Sequence, residues 1–76
     1  MDGLAGPSSA VARAEVRAIA RAVEALPPRQ RAALVLRRFD GMEYAEIAAA
    51  VGGTAETARA NVYQAMRKLR AALGGP

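Results

Sequence analysis

Three pairs of helix-breaking residues limit the fold of this chain more than any other feature. The pairs are Pro27-Pro28, Asp40-Gly41 and Gly52-Gly53. Proline restricts the residue before it and glycine adopts positive φ, so each pair ends a run of apolar residues that recur at helical spacing. The chain therefore divides into four helical segments, and we predict an all-α fold, a compact four-helix domain.

The predicted helices cover roughly residues 10–26, 29–39, 44–51 and 55–73. Residues 1–9 are rich in glycine, proline and serine, and we expect them to form a flexible lead-in to a domain over residues 10–76. Ser8 or Ser9 is predicted to cap the first helix and Thr54 the fourth, because a hydroxyl oxygen accepts a hydrogen bond from an unpaired N–H at a helix start.

One face of each predicted helix carries the apolar residues expected to form the core. On the first two helices these are Ala12, Val16, Ile19, Ala20, Val23, Val35, Leu36 and Phe39. On the last two they are Tyr44, Ile47, Ala48, Val51, Ala58, Val62, Ala65, Met66, Leu69 and Leu73. Alanine supplies 20 of the 40 apolar residues, which favours helices but leaves few large side chains. We expect a thin core and a stability of about 3–5 kcal/mol.

The absence of cysteine and histidine removes several classes of function. The chain offers no disulfide, no usual zinc ligands and no histidine base. Asp40, Glu43 and Glu46 cluster at a helix start, where capping and solvation explain them. We expect no enzyme activity, no cofactor and no metal. No apolar run reaches the ~18–20 residues of a membrane span, and the first nine residues do not form a signal peptide, so we expect a cytoplasmic protein.

The positive charge is concentrated in the second part of the sequence. The net charge is +4, ten of the eleven cations are arginine, and residues 27–76 carry the whole excess. From Arg59 to Arg70 there are four cations and no acid. Such a segment is typical of nucleic-acid binding, although a solvated helix face has the same composition.

The last two helices and the turn between them predict a helix-turn-helix. Ala48 and Gly52 are small, so the two helices can approach closely at a steep angle. The long last helix then projects its N-terminal half far enough to enter a DNA major groove. An ordinary helical hairpin would also explain the glycines, and the pattern alone leaves both readings open.

The order of specific residues resembles region 4 of bacterial sigma-70 family factors, and most closely the extracytoplasmic-function group. The resemblance covers about residues 10–73 without gaps. Its residues are Leu26-Pro27-Pro28-Arg29-Gln30-Arg31, Leu36-Arg37, Gly41, Tyr44, Glu46-Ile47-Ala48, Gly52, Thr54, Thr57 and Leu69-Arg70. The output domain of LuxR-type response regulators shares Glu46-Ile47-Ala48 and Thr57, but the double proline and Tyr44 fit it less well.

This resemblance implies a domain that reads the promoter −35 element with its last helix. It also implies docking on the β-flap of RNA polymerase and occlusion by an anti-sigma factor. The implied DNA-binding residues are Arg37 and Arg38 before the turn, Thr54 and Thr57 at the N-terminus of the last helix, and Arg59, Ala60, Asn61, Tyr63, Gln64 and Arg67 along it. Thr54 and Thr57 would lie near phosphates, which helix N-termini attract.

Several positions depart from the family pattern. Ala60, Asn61 and Gln64 stand where serine and two arginines are usual, Gly53 and Ala58 replace larger apolar residues, and Glu43 replaces a capping Ser or Thr. Asn61 and Gln64 could read adenine edges, or they could be neutral surface residues. A rival function therefore stays open, in which the domain is a sigma-like module that binds an anti-sigma factor or another protein without specific DNA reading.

The 76 residues contain no counterpart of the sigma domain that binds the polymerase clamp and melts the −10 element. We expect the chain to be the C-terminal domain of a longer sigma factor, rather than a naturally short regulator, and to be unable to start transcription alone. Promoter-specific transcripts from this chain with core polymerase would contradict that expectation.

Overall fold

The computed structural model describes residues 7–74, and this part of the chain is all-α, as predicted. The four helices are α1 (Pro7–Glu24), α2 (Pro28–Arg38), α3 (Tyr44–Val51) and α4 (Ala55–Ala72). No strand occurs between residues 7 and 74. Each predicted breaker pair lies at or between helix ends, and α3 with the turn to α4 forms the predicted helix-turn-helix.

The start of α1 differs from the prediction. The helix begins at Pro7, so Ser8 and Ser9 lie inside it and the prediction that one of them caps it is wrong. Proline suits a first helical turn because its φ is already near the helical value and its missing N–H would have no helical partner there. The helix therefore extends into residues 7–9 of the predicted lead-in, and the first six residues of that lead-in lie outside the part of the chain that the structure describes.

The core lies between α2, α3 and α4, which contact one another most extensively. Its buried apolar residues are Leu26, Ala33, Leu34, Ile47, Ala48, Ala58, Val62 and Ala65. Ile47 is the largest side chain that is fully buried. Alanine at positions 33, 58 and 65 lets the helix backbones approach closely, so the thin core predicted from the composition is confirmed.

The residues predicted to face the core that are exposed instead are Ala12, Val16, Ile19, Ala20, Phe39 and Leu73. Those on α1 are accessible because only the C-terminal part of this helix packs on the core, through Val23. Phe39 is 80% exposed. It lies five residues after the buried Leu34, which is about 140° around a helix, so its side chain is turned away from the buried face of α2.

Two arginines of α2 hold the connections at its ends. Arg31 Nη1 donates to the carbonyl oxygens of Glu24 (2.9 Å) and Leu26 (3.4 Å), which closes the link from α1. Arg37 Nη1 donates to the carbonyl of Met42 at 2.9 Å, and its guanidinium lies 4.4 Å from the centre of the ring of a neighbouring tyrosine, Tyr44. These contacts fix the orientation of α2 against the helices on either side.

Between residues 7 and 74 no helix is both long enough and apolar enough to cross a membrane. The same residues contain no group of three or more acidic, cysteine or histidine side chains placed to hold a metal ion.

Candidate nucleic-acid interface

The turn between α3 and α4 depends on its two glycines. Gly52 has φ 95° and Gly53 has φ 93°, conformations that residues with a Cβ rarely adopt. A Cβ at Gly53 would also lie 2.6 Å from Oγ1 of Thr57. The apolar residue usual at this position in the resembled family would therefore not fit the turn seen here, and glycine keeps α4 close to α3.

The N-terminus of α4 is fixed by two threonines that cap it reciprocally. Thr57 N donates to Oγ1 of Thr54 at 3.1 Å, and Thr54 N donates to Oγ1 of Thr57 at 2.8 Å. The Thr57 hydroxyl also donates to the Thr54 carbonyl at 2.8 Å. The predicted cap by Thr54 is confirmed, and both side chains lie at the exposed helix start where the sequence predicted them.

The acidic residues at the start of α3 serve the helix itself. The backbone N–H of Glu43 donates to Oε1 of Glu46 at 2.8 Å, and the Glu43 carboxylate lies 3.8 Å from the Arg37 guanidinium. Glu43 is the N-cap residue of α3, so a carboxylate replaces the usual Ser or Thr. The capping role predicted for Glu43 and Glu46 is confirmed.

Five predicted DNA-binding residues share the solvent side of α4, which we call the outer face: Arg59, Ala60, Tyr63, Gln64 and Arg67. The opposite side of α4 is buried, and α4 contains no acidic residue after Glu56. The outer face is therefore cationic and polar, with a small residue at its centre and an exposed aromatic ring beside it. Its positive charge is of the kind that DNA attracts.

Two predicted residues of α4 differ from the rest of the set in their surroundings. Asn61 is half-buried at the edge of the outer face. Oε1 of Gln64 accepts a hydrogen bond from Nε2 of Gln30 at 2.9 Å, and this bond links α4 to α2. Gln30 was not predicted to face the core, although its spacing from Ala33 and Leu34 places it on the same side of α2.

The two arginines at the end of α2 differ in their freedom to contact DNA. The Arg37 guanidinium already has partners within the chain, at the Met42 carbonyl, the Glu43 carboxylate and the Tyr44 ring. Arg38 is exposed, but it lies beside Phe39 on a different surface from the outer face. The structure therefore does not bring either arginine together with Arg59 and Arg67.

That other surface is an apolar groove of about 460 Å³ between α1, the end of α2 and the C-terminal half of α4. We call it the apolar groove, and it is lined by Ile19, Val23, Leu34, Arg38, Phe39, Met66, Leu69, Arg70 and Leu73. Arg38 and Arg70 are the two charged residues of this lining, and the other side chains are apolar. This groove was not predicted, because the apolar spacing had assigned Ile19, Phe39 and Leu73 to the core.

A comparison with models of protein families adds a finding that does not depend on this geometry. Residues 16–69 match the model described as Sigma-70, region 4. The chain belongs to the Sigma-70 region 4 family. The match runs from α1 to α4 and includes the whole helix-turn-helix. Sigma-70 region 4 is a DNA-binding transcription-factor domain and not an enzyme family. No curated protein and no solved structure was found to match the chain.

Proposed function

We propose that this domain recognises promoters for an alternative sigma factor of the extracytoplasmic-function group and contacts the −35 element with α4. The observation that carries the proposal is the outer face, an exposed cationic surface on the second helix of the motif. It lies within the part of the chain that matches Sigma-70 region 4. A domain with this function would work in the cytoplasm, where the polymerase and the promoter are.

The residues of the outer face divide into two roles. Arg59 and Arg67 lie two helical turns apart and would contact phosphates on either side of the groove. Tyr63 and Gln64 lie between them and would reach base edges, since Ala60 is too small to hold the helix away from the bases. Asn61 would contact DNA from the edge of this face.

The remaining predicted contacts would hold the helix on the DNA backbone. Thr54 and Thr57 fix the N-terminus of α4, whose dipole attracts a phosphate. Arg38 would contribute long-range attraction to DNA. Arg37 would take part only if its guanidinium left the Met42 carbonyl, so we assign it a structural role first.

The apolar groove would receive the protein partner of the same domain, the β-flap of the RNA polymerase core. An exposed phenylalanine beside Met66, Leu69 and Leu73 is the kind of surface that binds the apolar side of a helix. Its position at the C-terminal half of α4 would let DNA and polymerase bind at the same time.

The apolar groove also favours a second candidate function. A domain that binds only an anti-sigma factor would need this groove and would not need the outer face. The loss of two family arginines at Asn61 and Gln64 is compatible with that alternative.

The two functions are separated by a random-oligonucleotide selection run in parallel with a pull-down from cell lysate. Promoter recognition predicts enrichment of one −35-like sequence by the wild-type domain, and loss of that enrichment when Arg59 and Arg67 are changed to alanine. The double change of Arg17 and Arg21 to alanine on α1 is the matched control, because it removes the same two charges from a helix outside the motif. Capture of a regulator without any sequence enrichment would support the second function instead.

A further inference from the structure

A buried glutamine pairs with a residue of the outer face. Gln30 is only 9% exposed, and its Nε2 donates to Oε1 of Gln64 at 2.9 Å. The two residues are 34 positions apart in sequence, so this hydrogen bond links the first turn of α2 to the middle of α4. The Oε1 atom of Gln30 is buried without a hydrogen-bond partner.

An orphaned buried acceptor is costly, so this glutamine lowers the stability of the core relative to an apolar residue of the same length. Methionine would fill the same space without that cost. The stability of the fold therefore does not explain why a glutamine occupies position 30. Its hydrogen bond to Gln64 is the contact that connects it to the outer face.

The contact orients the Gln64 amide, because Gln30 takes one of the two lone pairs of its Oε1 and holds that end toward α2. A glutamine that reads adenine uses both ends, accepting from N6 and donating to N7. Here Oε1 of Gln64 is turned toward Gln30, which leaves the Nε2 group with its two N–H donors. Guanine offers two adjacent acceptors in the major groove, N7 and O6, whereas adenine places a donor beside N7.

We propose that Gln30 is a positioning residue that presents Gln64 to DNA as a donor, so that Gln64 selects guanine over adenine. This inference rests on the proposed function, because it concerns the base that the outer face reads. It names a determinant of specificity that lies in the core of the domain and touches no DNA.

The test begins with the site selected by the wild-type domain. The base pair read by Gln64 is the one at which Gln64→Ala reduces selectivity most while leaving a measurable preference. There we expect guanine to bind more tightly than adenine, and Gln30→Met to reduce that preference by about fivefold to tenfold. In the Gln64→Ala background, Gln30→Met should leave the base preference unchanged, since Gln30 acts through Gln64.

Arg29→Met is the control for this measurement, because it changes the neighbouring exposed residue in the same turn of α2. It should leave the ratio of guanine to adenine affinity unaltered. Circular dichroism should show that Gln30→Met remains folded. An equal loss of preference with and without Gln64, or a wild-type preference for adenine or cytosine at this pair, would overturn the proposal.

A readout without DNA separates this inference from the proposed function. The side-chain amide NMR signals of Gln30 should shift in Gln64→Ala. They should stay in place in Arg67→Ala, which changes a residue of the same helix three positions further on. Unmoved signals in Gln64→Ala would overturn the inference alone. Failure of the wild-type domain to enrich any sequence, with the shift present, would instead overturn the proposed function and with it the role of Gln64 in base selection.

Discussion

The outer face and the apolar groove are two surfaces of the same helix with opposite chemistry. The outer face carries Arg59, Arg67 and polar side chains on the solvent side of α4. The apolar groove uses the C-terminal half of the same helix together with α1 and Phe39. Ligand binding to the outer face would depend on charge and be weakened by salt, whereas binding to the apolar groove would depend mainly on apolar area. The proposed DNA and protein partners of α4 would therefore differ in how their binding responds to salt.

Both surfaces depend on the same thin core, and the largest expected effect comes from breaking it. Ile47→Ala removes the largest fully buried side chain and should cost about 2–5 kcal/mol, comparable with the ~3–5 kcal/mol expected for the whole domain. Thermal unfolding followed by circular dichroism should show a domain that is largely unfolded at 25 °C. A cooperative transition close to that of the wild type would mean that the core is not centred on Ile47.

A smaller loss of stability is expected from a change in the turn between α3 and α4, which belongs to neither surface. Gly53→Ala adds a methyl group 2.6 Å from Oγ1 of Thr57 and forces alanine to φ 93°, which should cost about 1–3 kcal/mol. Gly41→Ala is the matched control, because Gly41 also has positive φ but its added Cβ would meet nothing within 4 Å. Urea unfolding should show a larger loss for Gly53→Ala than for Gly41→Ala. Equal losses would mean that the contact with Thr57 has no effect.

Loss of the N-terminal cap of α4 should loosen the first turn of this helix, which adjoins the outer face, and leave its C-terminal half at the apolar groove unchanged. Thr54→Ala removes the acceptor for the N–H of Thr57 and should lower the free energy of unfolding by about 1 kcal/mol. Amide hydrogen exchange should be faster in the first turn of α4 and unchanged near Leu69. Thr54→Ser should restore the wild-type rates, and uniform acceleration along the helix would contradict a local cap.

The smallest effect on stability is expected at the apolar groove itself. Phe39 is exposed, so Phe39→Ala should change the free energy of unfolding by less than about 0.5 kcal/mol. The same variant should leave the affinity for DNA unchanged and weaken binding of the polymerase β-flap. A clear loss of stability, measured by urea unfolding, would mean that Phe39 packs into the core as the sequence had predicted.

The existence of the four helices and most of their limits could be predicted because local chemistry decides them, although α1 begins three residues earlier than predicted. The breaker pairs and the Thr54 cap placed α3 and the start of α4 at the observed residues. The direction of individual side chains was harder to predict, because it depends on where each helix meets its neighbours. Phe39 is the most apolar residue near the end of α2, yet the buried face of that helix runs through Gln30, Ala33 and Leu34.

The candidate site was predictable only as a set of positions on α4. The exposure of Arg59, Tyr63 and Arg67 follows from helical periodicity, since they lie opposite or beside the buried stripe. The partner of Gln64 could not be predicted, because it lies 34 residues away and the helical spacing that places Gln30 with Ala33 and Leu34 does not show which residue of α4 it meets. The apolar groove escaped prediction for the same reason, since three helices contribute to it.

The most direct test of the account is the salt dependence of binding to a selected −35-like duplex. Fluorescence anisotropy from low to physiological salt should give a steep loss of affinity, and Arg59→Ala and Arg67→Ala should each lower the slope by about one unit. Arg17→Ala should leave the slope as in the wild type. A slope near zero, or one lowered equally by all three variants, would contradict DNA recognition by the outer face of α4.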